Sequence, residues 1–301
     1  MLAAARGFFA QCGILEVETP ILSAAAVSDP HIESLATKVA GREAKSYLCA
    51  SPEYAMKRLL AAGSGDIYQI CKAFRDGERG RWHNPEFTLI EWYRLRFDDA
   101  ALMNEVEALI GHLLAPYRQL APAERLSYAD AMQRHAGVDA RARDQDVAES
   151  VRSHGIVCDA ELDRDAKLDL LMSLVVGPRL GFQRPCFIAD YPVSQAALAR
   201  LKPGPPPVAA RFELYLDGIE LANGFHELAN AVQQRERFAR DLMLRRERGL
   251  ATPPLDEHLL AALASGMPDC AGVALGFDRL LAISLAAPRL ADAMAFTIDN
   301  A

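Results

Sequence analysis

Residues 66–96 read DIYQICKAFRDGERGRWHNPEFTLIEWYRLR, and this stretch decides the fold that the sequence predicts. Side-chain character alternates along residues 67–74 and again along residues 87–95, which is typical of β-strands with one buried face. The residues between them are rich in Arg, Asp, Gly, Asn and Pro, which favour turns and loops. Two alternating segments around such a linker predict an antiparallel hairpin.

One face of the second strand gathers residues with useful chemistry. Successive strand side chains point to opposite faces, so one face carries Phe87, Leu89, Glu91 and Tyr93. The linker adds the cationic side chains Arg75, Arg79, Arg81 and His83. A flat ring, a carboxylate and a cationic loop suit a nucleotide beside a small, positively charged substrate. The structural alternative is a solvated loop and a core Phe, but an unpaired buried carboxylate is costly, which favours the functional interpretation.

A second informative stretch, residues 211–228, reads RFELYLDGIELANGFHEL. Its Asp-Gly pair at 217–218 predicts a two-residue hairpin turn. Glu220 and Glu227 follow seven positions apart, so a regular strand would direct them to opposite faces, and a bulge at Asn-Gly 223–224 would bring them to the same face. Two carboxylates on one face suit Mg²⁺ with a phosphate ligand; a cross-strand salt-bridge arrangement is an equal alternative.

A strand entering a helix is predicted at residues 47–60. Ser51 is placed to cap this helix, Pro52 to occupy its first position and Glu53 to lie in its first turn. An acidic first-turn residue complements the helix dipole, which explains Glu53 without any function. Its alternative role is to bind an ammonium group.

The sequence GVALGFDRLL, residues 272–281, predicts a strand, a glycine turn and a helix. Gly276 at the turn would let the backbone approach a ligand closely. Arg279 near the start of the helix opposes the dipole and therefore favours an anionic partner.

Composition limits the classes of function. The 301 residues are 51% hydrophobic and 24% charged, as in ordinary globular proteins, and the net charge of −7 argues against a broad nucleic-acid surface. No apolar run reaches the roughly 20 residues that span a bilayer, so no membrane association is expected. Six scattered cysteines without a CxxC pair predict a cytoplasmic protein without a structural zinc site. Residues from about 118 to 205 have a helical pattern and no recognisable chemistry.

Three segments resemble one family in order and spacing. ILEVETP (14–20), FRDGERGRWHNPEFTLIEWY (74–93) and GVALGFDRLL (272–281) resemble motifs 1, 2 and 3 of the class II aminoacyl-tRNA synthetases. HNPEFT and GIELANGFHEL are most similar to the lysyl branch. The resemblance implies an α+β fold, a class II catalytic core with an antiparallel sheet flanked by helices. It also implies one domain over 1–301, a helical insertion at about 118–205 and a homodimer through motif 1.

Two departures from the lysyl-tRNA synthetase pattern indicate a particular branch of this family. Motif 1 falls in the first twenty residues, so no anticodon-binding domain is expected, and Ala274 and Phe-His-Glu at 225–227 replace the synthetase pattern. Both resemble the elongation factor P–(R)-β-lysine ligases, a lysyl-tRNA synthetase-like family. That likeness implies ATP and Mg²⁺ as cofactors, lysine or β-lysine as substrate, translation elongation factor P as protein partner and no stable tRNA binding. A minimal lysyl-tRNA synthetase and a non-catalytic regulatory paralogue are the alternatives.

The resemblance also implies residue roles. Arg75 and Arg279 would be catalytic, and Phe87 would stack on adenine. The implied ATP site comprises Arg75, Asp76, Gly77, Glu78, His83, Asn84, Phe87, Glu220, Leu221, Gly276 and Arg279. The implied amino-acid site comprises Ser51, Pro52, Glu53, Glu91, Tyr93, Glu227 and Ala274, and the implied metal ligands are Glu220 and Glu227. The family reads Arg-Asn-Glu in motif 2, whereas here Arg75-Asp76-Gly77 places Glu78 one position late.

Overall fold

The computed structural model describes residues 1–159 and 162–301. The strands are β1 (Leu15–Glu16), β2 (Leu22–Ser23), β3 (Ala36–Thr37), β4 (Ser46–Leu48), β5 (Ile67–Phe74), β6 (Glu86–Leu95), β7 (Glu124–Ser127), β8 (Cys186–Tyr191), β9 (Leu201–Lys202), β10 (Val208–Leu216), β11 (Ile219–His226) and β12 (Cys270–Gly276). The α-helices are α1 (Leu2–Gln11), α2 (Glu53–Ala61), α3 (Asp99–Leu114), α4 (Tyr128–Ala136), α5 (Asp144–Ser153), α6 (Arg164–Leu171), α7 (Ala231–Glu247), α8 (Glu257–Gly266) and α9 (Phe277–Ser284). This mixture of sheet and helix confirms the predicted α+β class.

The central hairpin is confirmed. Strands β5 and β6 pair antiparallel without a register shift, from Ile67 opposite Tyr93 to Phe74 opposite Glu86. Strand β12 pairs with the other edge of β6, which places Ala274 opposite Glu91. Because directly paired residues point to the same face, the predicted functional face continues from β6 onto β12.

The first of two compact units contains residues 1–98 and 227–301. Its main strands run in the order β1-β5-β6-β12, with β1 parallel to β5, and β2-β4-β3 form a small separate sheet. On α1, Phe9 stacks on Tyr68 at 4.2 Å between ring centroids and lies edge-on to Trp92 at 5.4 Å. Tyr68 and Trp92 alternate with the residues of the functional face, so α1 covers the opposite face.

The second compact unit contains residues 99–226, with strands in the order β11-β10-β8-β7 and β9 paired to β10. The predicted hairpin turn is confirmed, because Asp217 and Gly218 have φ angles of 52° and 74°, as a type I′ turn requires. The predicted bulge position is wrong. Tyr215 pairs with Glu220 and Leu214 with Ala222, so Leu221 is the extra residue.

Asn223 and Gly224 stay in register opposite Glu213 and Phe212, so they form no bulge.

Residues from about 118 to 205 are more than the predicted helical insertion, because they contribute β7, β8 and β9 besides α4, α5 and α6. Cys186, Phe187 and Ile188 of β8 are fully or almost fully buried, and a short apolar strand of this kind lacks the alternation on which the helix-versus-strand distinction depends. None of the helices in the described ranges is long and apolar enough to cross a membrane.

Candidate active site

A buried carboxylate occupies the middle of the functional face. Glu91 on β6 is 2% exposed. Its Oε2 accepts a hydrogen bond from the Ser51 hydroxyl at 2.7 Å, and its Oε1 accepts one from the Tyr93 hydroxyl at 2.8 Å. Two neutral donors satisfy the carboxylate without neutralising it, so the charge of Glu91 remains available to a cationic ligand.

Helix α2 brings a lysine to the same region. Lys57 is 2% exposed, and its Nζ lies 2.6 Å from Glu53 Oε1 and 2.6 Å from Glu227 Oε2. Glu53 precedes it by four residues, which places both on one face of α2. Helix α2 begins at Glu53 with Pro52 as its N-cap, so the predicted cap at Ser51 and first helical position at Pro52 are wrong by one residue. The N–H of Glu53 nevertheless donates to Ser51 Oγ at 3.0 Å.

We call Glu53, Lys57, Glu91 and Glu227, with Ser51 and Tyr93, the carboxylate cluster. Burial first, and repulsion by Glu53 next, raise the pKa of Glu91 to about 7. Burial raises the pKa of Glu227 to about 8 against the opposing charge of Lys57. Burial by itself would lower the pKa of Lys57, but Glu227 and Glu53 outweigh it and raise this pKa. Three carboxylates therefore share a single ammonium group.

The floor of the cluster requires a glycine. Gly272 on β12 lies directly opposite Tyr93 on β6. A Cβ at Gly272 would lie 2.2 Å from Tyr93 Cε1 and 2.6 Å from Glu227 Oε1, closer than real contacts allow. Because Gly272 has no Cβ, it leaves room for the side chains of both Tyr93 and Glu227. Gly272 begins the quoted motif 3 segment, but only Ala274, Gly276 and Arg279 of that segment were predicted to have a role.

A cationic group lies beside the aromatic ring predicted to stack on a nucleotide. The Arg75 guanidinium carbon is 5.1 Å from the centroid of the half-buried Phe87 ring. Arg75 Nη1 lies 3.4 Å from Glu78 Oε1, so Glu78 lies beside Arg75 although it comes one position late in the sequence. Gly77 has a φ of 74°, which glycine adopts without strain, and this turn redirects the chain between them. The backbone N–H of Asp76 donates a hydrogen bond to the Glu33 carbonyl at 2.8 Å.

The second predicted catalytic arginine lies at the start of α9, as predicted. Arg279 Nη2 is 2.8 Å from His83 Nε2, and Arg279 Nε donates to the Trp82 carbonyl at 3.1 Å. Burial and then the Arg279 charge lower the pKa of His83, so the neutral imidazole presents Nε2 as an acceptor. Arg279 is therefore oriented by the linker that carries the predicted ATP-binding residues.

The other ATP-site predictions divide into two groups. Asn84 Nδ2 donates to the Glu86 carbonyl at 2.6 Å, and Asn84 Oδ1 accepts from the Ile298 N–H at 3.0 Å. Gly276 caps α9 and lies opposite Leu89. Glu220 and Leu221 belong to the unit of residues 99–226, and their ATP contacts stay predictions.

The predicted magnesium ligands Glu220 and Glu227 also stay a prediction. Within residues 1–159 and 162–301, no group of three or more His, Cys, Asp or Glu side chains is arranged to hold a metal ion. Mg²⁺ is usually bound by one or two protein carboxylates and takes its other ligands from water and phosphate, so two glutamates would suffice.

Comparison with known proteins places the chain in a family. The family model of tRNA synthetases class II (D, K and N) matches residues 1–300. The chain belongs to the class II tRNA synthetase family. Among its curated relatives, the elongation factor P–(R)-β-lysine ligase of Salmonella arizonae is 49% identical over 303 residues, covering 98% of this chain and 92% of that protein. The ligase of the same name from Salmonella dublin is 48% identical over 308 residues, covering 100% of this chain and 94% of that protein.

Within this class II synthetase chain, the structure gathers two sets of predicted residues. The first is the predicted amino-acid site, which is the carboxylate cluster with Pro52 and Ala274 beside it in sequence and strand register. The second is the nucleotide side, where Arg75 meets Phe87 and Glu78, and Arg279 meets His83. Lys57 and Gly272 were not predicted. Their signals were a lysine four positions after Glu53 and a glycine at an inward strand position.

Proposed function

We propose that this chain activates lysine or (R)-β-lysine with ATP and transfers it to a lysine ε-amine of translation elongation factor P. The main support is the carboxylate cluster, in which the buried carboxylates of Glu91 and Glu227 and the partly buried carboxylate of Glu53 surround Lys57. If all three carboxylates are ionised, these four side chains together carry a charge of −2. A diamino acid brings two ammonium groups, which match that excess. The names of the relatives support β-lysine and elongation factor P as the substrates.

The first step is formation of an acyl-adenylate. A carboxylate oxygen of the amino acid attacks the α-phosphorus of ATP, a new O–P bond forms, and the bond to the departing pyrophosphate breaks. Arg75 would neutralise the charge that develops on the α-phosphate, Phe87 would stack on the adenine, and Arg279 would contact the triphosphate. Catalysis of this kind depends on holding the reactants in line and not on a covalent enzyme group.

The second step transfers the acyl group. The neutral ε-amine of the protein acceptor attacks the activated carbonyl, an amide bond forms, the acyl–phosphate bond breaks, and AMP leaves with the electron pair. The attacking nitrogen loses one proton, for which the departing phosphate oxygens are suitable acceptors. Throughout both steps the carboxylate cluster holds the ammonium groups of the amino acid.

We propose Mg²⁺ as the counter-ion of the triphosphate, with Glu220 and Glu227 as its protein ligands. Carboxylate oxygens are the donors that Mg²⁺ prefers, and one or two suffice when phosphates complete its shell. When bound, the ion would supply charge neutralisation to the phosphates. Glu227 also pairs with Lys57 through Oε2.

We further propose a cytoplasmic homodimer that forms no stable complex with tRNA. The apolar side chains Leu15, Ile21 and Leu22 in and after the motif 1 segment are 56%, 40% and 43% exposed, which suits burial against a second copy. The net charge of −7 disfavours a tRNA-binding surface, and the six cysteines carry no disulfide. Light scattering during size-exclusion chromatography tests the dimer.

The decisive experiment is ATP–pyrophosphate exchange with α-lysine and (R)-β-lysine measured side by side, followed by mass spectrometry of elongation factor P. We expect exchange that depends on a lysine isomer and a covalent addition to elongation factor P. Efficient charging of total tRNA instead would support a minimal lysyl-tRNA synthetase. Absence of exchange with every isomer, in a folded protein, would support the non-catalytic alternative.

A further inference from the structure

Lys57 is a buried cation to which no role in the reaction has been assigned. Its Nζ bridges Glu53 Oε1 and Glu227 Oε2, each at 2.6 Å, and its side chain is 2% exposed. The two carboxylates that it joins come from α2 and from the segment following β11, which are far apart in sequence. Lys57 therefore fixes the position of one substrate-site carboxylate relative to another.

The bridge also fixes how the Glu227 carboxylate is oriented. Its Oε2 faces Lys57, and its Oε1 lies on the Gly272 side, 2.6 Å from where a Cβ at Gly272 would be. A carboxylate held at one oxygen by a buried ammonium group cannot rotate without breaking a charge-assisted hydrogen bond. The second oxygen is thereby kept directed towards Gly272 and the ring of Tyr93.

We propose that Lys57 is a positioning residue, which holds Glu53 and Glu227 in the geometry that receives an ammonium group of the diamino acid. This role rests on the proposed function and adds a residue to it. Lys57 does not contact the substrate in this scheme. It acts through the two carboxylates.

A purely structural ion pair would have a different composition. Buried ion pairs balance their charges, because an uncompensated buried charge is costly. Here one lysine contacts Glu53 on its own helix and Glu227 after β11, and its charge also acts on Glu91 of β6. Other titratable groups near Glu91 are Tyr93 on β6, Cys71 on β5 and Cys49 after β4, and none of these three side chains is cationic. Among these residues, carboxylates outnumber ammonium groups by three to one.

The test compares Lys57→Met with the wild type in lysine-dependent pyrophosphate exchange. We expect kcat/KM for the diamino acid to fall on the order of 100-fold, mainly through KM, since truncating one partner of a buried charge pair has effects of that size. At saturating diamino acid, kcat should change by less than about threefold, because loss of uniform substrate binding raises KM without lowering kcat.

The split between KM and kcat separates positioning from simple loss of stability. Loss of folded protein lowers the measured kcat and leaves KM unchanged, whereas misplaced carboxylates raise the KM for the diamino acid. An unchanged KM for the diamino acid in folded Lys57→Met would overturn the proposal.

Lys167→Met is the matched control. Lys167 is 6% exposed and pairs with Asp144 at 2.8 Å in the other unit, so its loss should lower thermal stability without changing the KM for the amino acid. Equal effects of both variants on KM would reject a specific role for Lys57.

A second comparison covers the case in which Lys57→Met does not fold. The double variant Lys57→Met with Glu53→Gln removes one positive and one negative charge, and it is compared with Glu53→Gln alone. Positioning of Glu227 requires the double variant to have a higher amino-acid KM than the single one, and equal values would refute it. Wild-type protein that shows no exchange with any lysine isomer would instead refute the proposed function itself.

Discussion

Two buried polar clusters, one in each unit, differ in their balance of charge. The carboxylate cluster contains three carboxylates and one lysine. On β10, Glu213 accepts hydrogen bonds at both carboxylate oxygens, from Arg211 Nη2 at 2.5 Å and from the Tyr215 hydroxyl at 2.6 Å. Arg211 also lies over the Tyr191 ring, 4.3 Å from its centroid. We call these residues the β10 cluster.

The difference shows how a binding site can be told from a structural network. In the β10 cluster the Arg211 guanidinium pairs directly with the Glu213 carboxylate, and Arg211 Nη1 donates to the Gln195 carbonyl at 2.9 Å. A buried ion pair that is hydrogen-bonded in this way helps to specify one arrangement of the core. In the carboxylate cluster, burial first and the neighbouring carboxylates next raise the pKa of Glu91 and Glu227, so their ionised forms are unfavourable until a cation binds. Excess charge that folding does not neutralise indicates a ligand.

The largest expected effect tests this contrast directly. Glu227→Gln should lower kcat/KM for the diamino acid on the order of 1000-fold, because it removes the desolvated charge that we propose to receive an ammonium group. Pyrophosphate exchange at varied amino-acid concentration measures the loss. Glu213→Gln in the β10 cluster is the control, and we expect lower thermal stability with kcat/KM changed by less than about threefold. Similar losses of kcat/KM in the two variants would show that charge balance does not distinguish a binding site from a structural network.

The next effect concerns the nucleotide side of the same unit. Arg75→Ala should lower kcat on the order of 100-fold, because the guanidinium would stabilise charge that develops on the α-phosphate. The KM for the amino acid should change little, since Arg75 lies beside Phe87 and Glu78 and not in the carboxylate cluster. Arg134→Ala, which removes an exposed pair with Glu124, serves as the control and should leave kcat unchanged. A normal kcat in Arg75→Ala would show that Arg75 is not a catalytic residue.

A smaller effect is expected from a single methyl group. In Gly272→Ala the Cβ would overlap Tyr93 and Glu227, and we expect a loss of about 1–3 kcal/mol in the free energy of unfolding and a roughly tenfold higher amino-acid KM. Chemical denaturation and pyrophosphate exchange measure the two quantities. Gly111→Ala on α3, where a Cβ meets nothing within 4 Å, should be neutral or stabilising. Unchanged KM in Gly272→Ala would show that the floor of the cluster tolerates a side chain.

The smallest effect is the pH dependence of the wild type. Glu91 and Glu227 have pKa values raised to about 7 and about 8, and only their ionised forms attract an ammonium group. Since a carboxyl group is protonated below its pKa, kcat/KM for the diamino acid should be low in acid and rise as the pH passes through this range. At saturating amino acid, kcat should rise at a lower pH than kcat/KM does, because the bound ammonium group favours the charged form of the carboxylates. A flat profile between pH 6 and 9 would contradict the raised pKa values.

Much of the fold could be predicted from local patterns. Alternation in residues 67–74 and 87–95 predicted the β5–β6 hairpin, and Asp-Gly at 217–218 predicted the two-residue turn between β10 and β11, because strand period and turn φ angles depend mainly on neighbouring residues. The bulge was misplaced, since its position at Leu221 follows from pairing with β10 and not from the Asn-Gly pair. The strands within residues 118–205 were missed because buried β8 shows no alternation.

The sequence by itself determined the family, the hairpin and the residues of its functional face. The i, i+4 spacing also placed Lys57 beside Glu53. Only the tertiary structure decided that Lys57 bridges to Glu227 and that Gly272 makes room for Tyr93 and Glu227. The physical reason is that charge balance and close packing depend on residues distant in sequence. They become neighbours only when β6, β12 and α2 assemble.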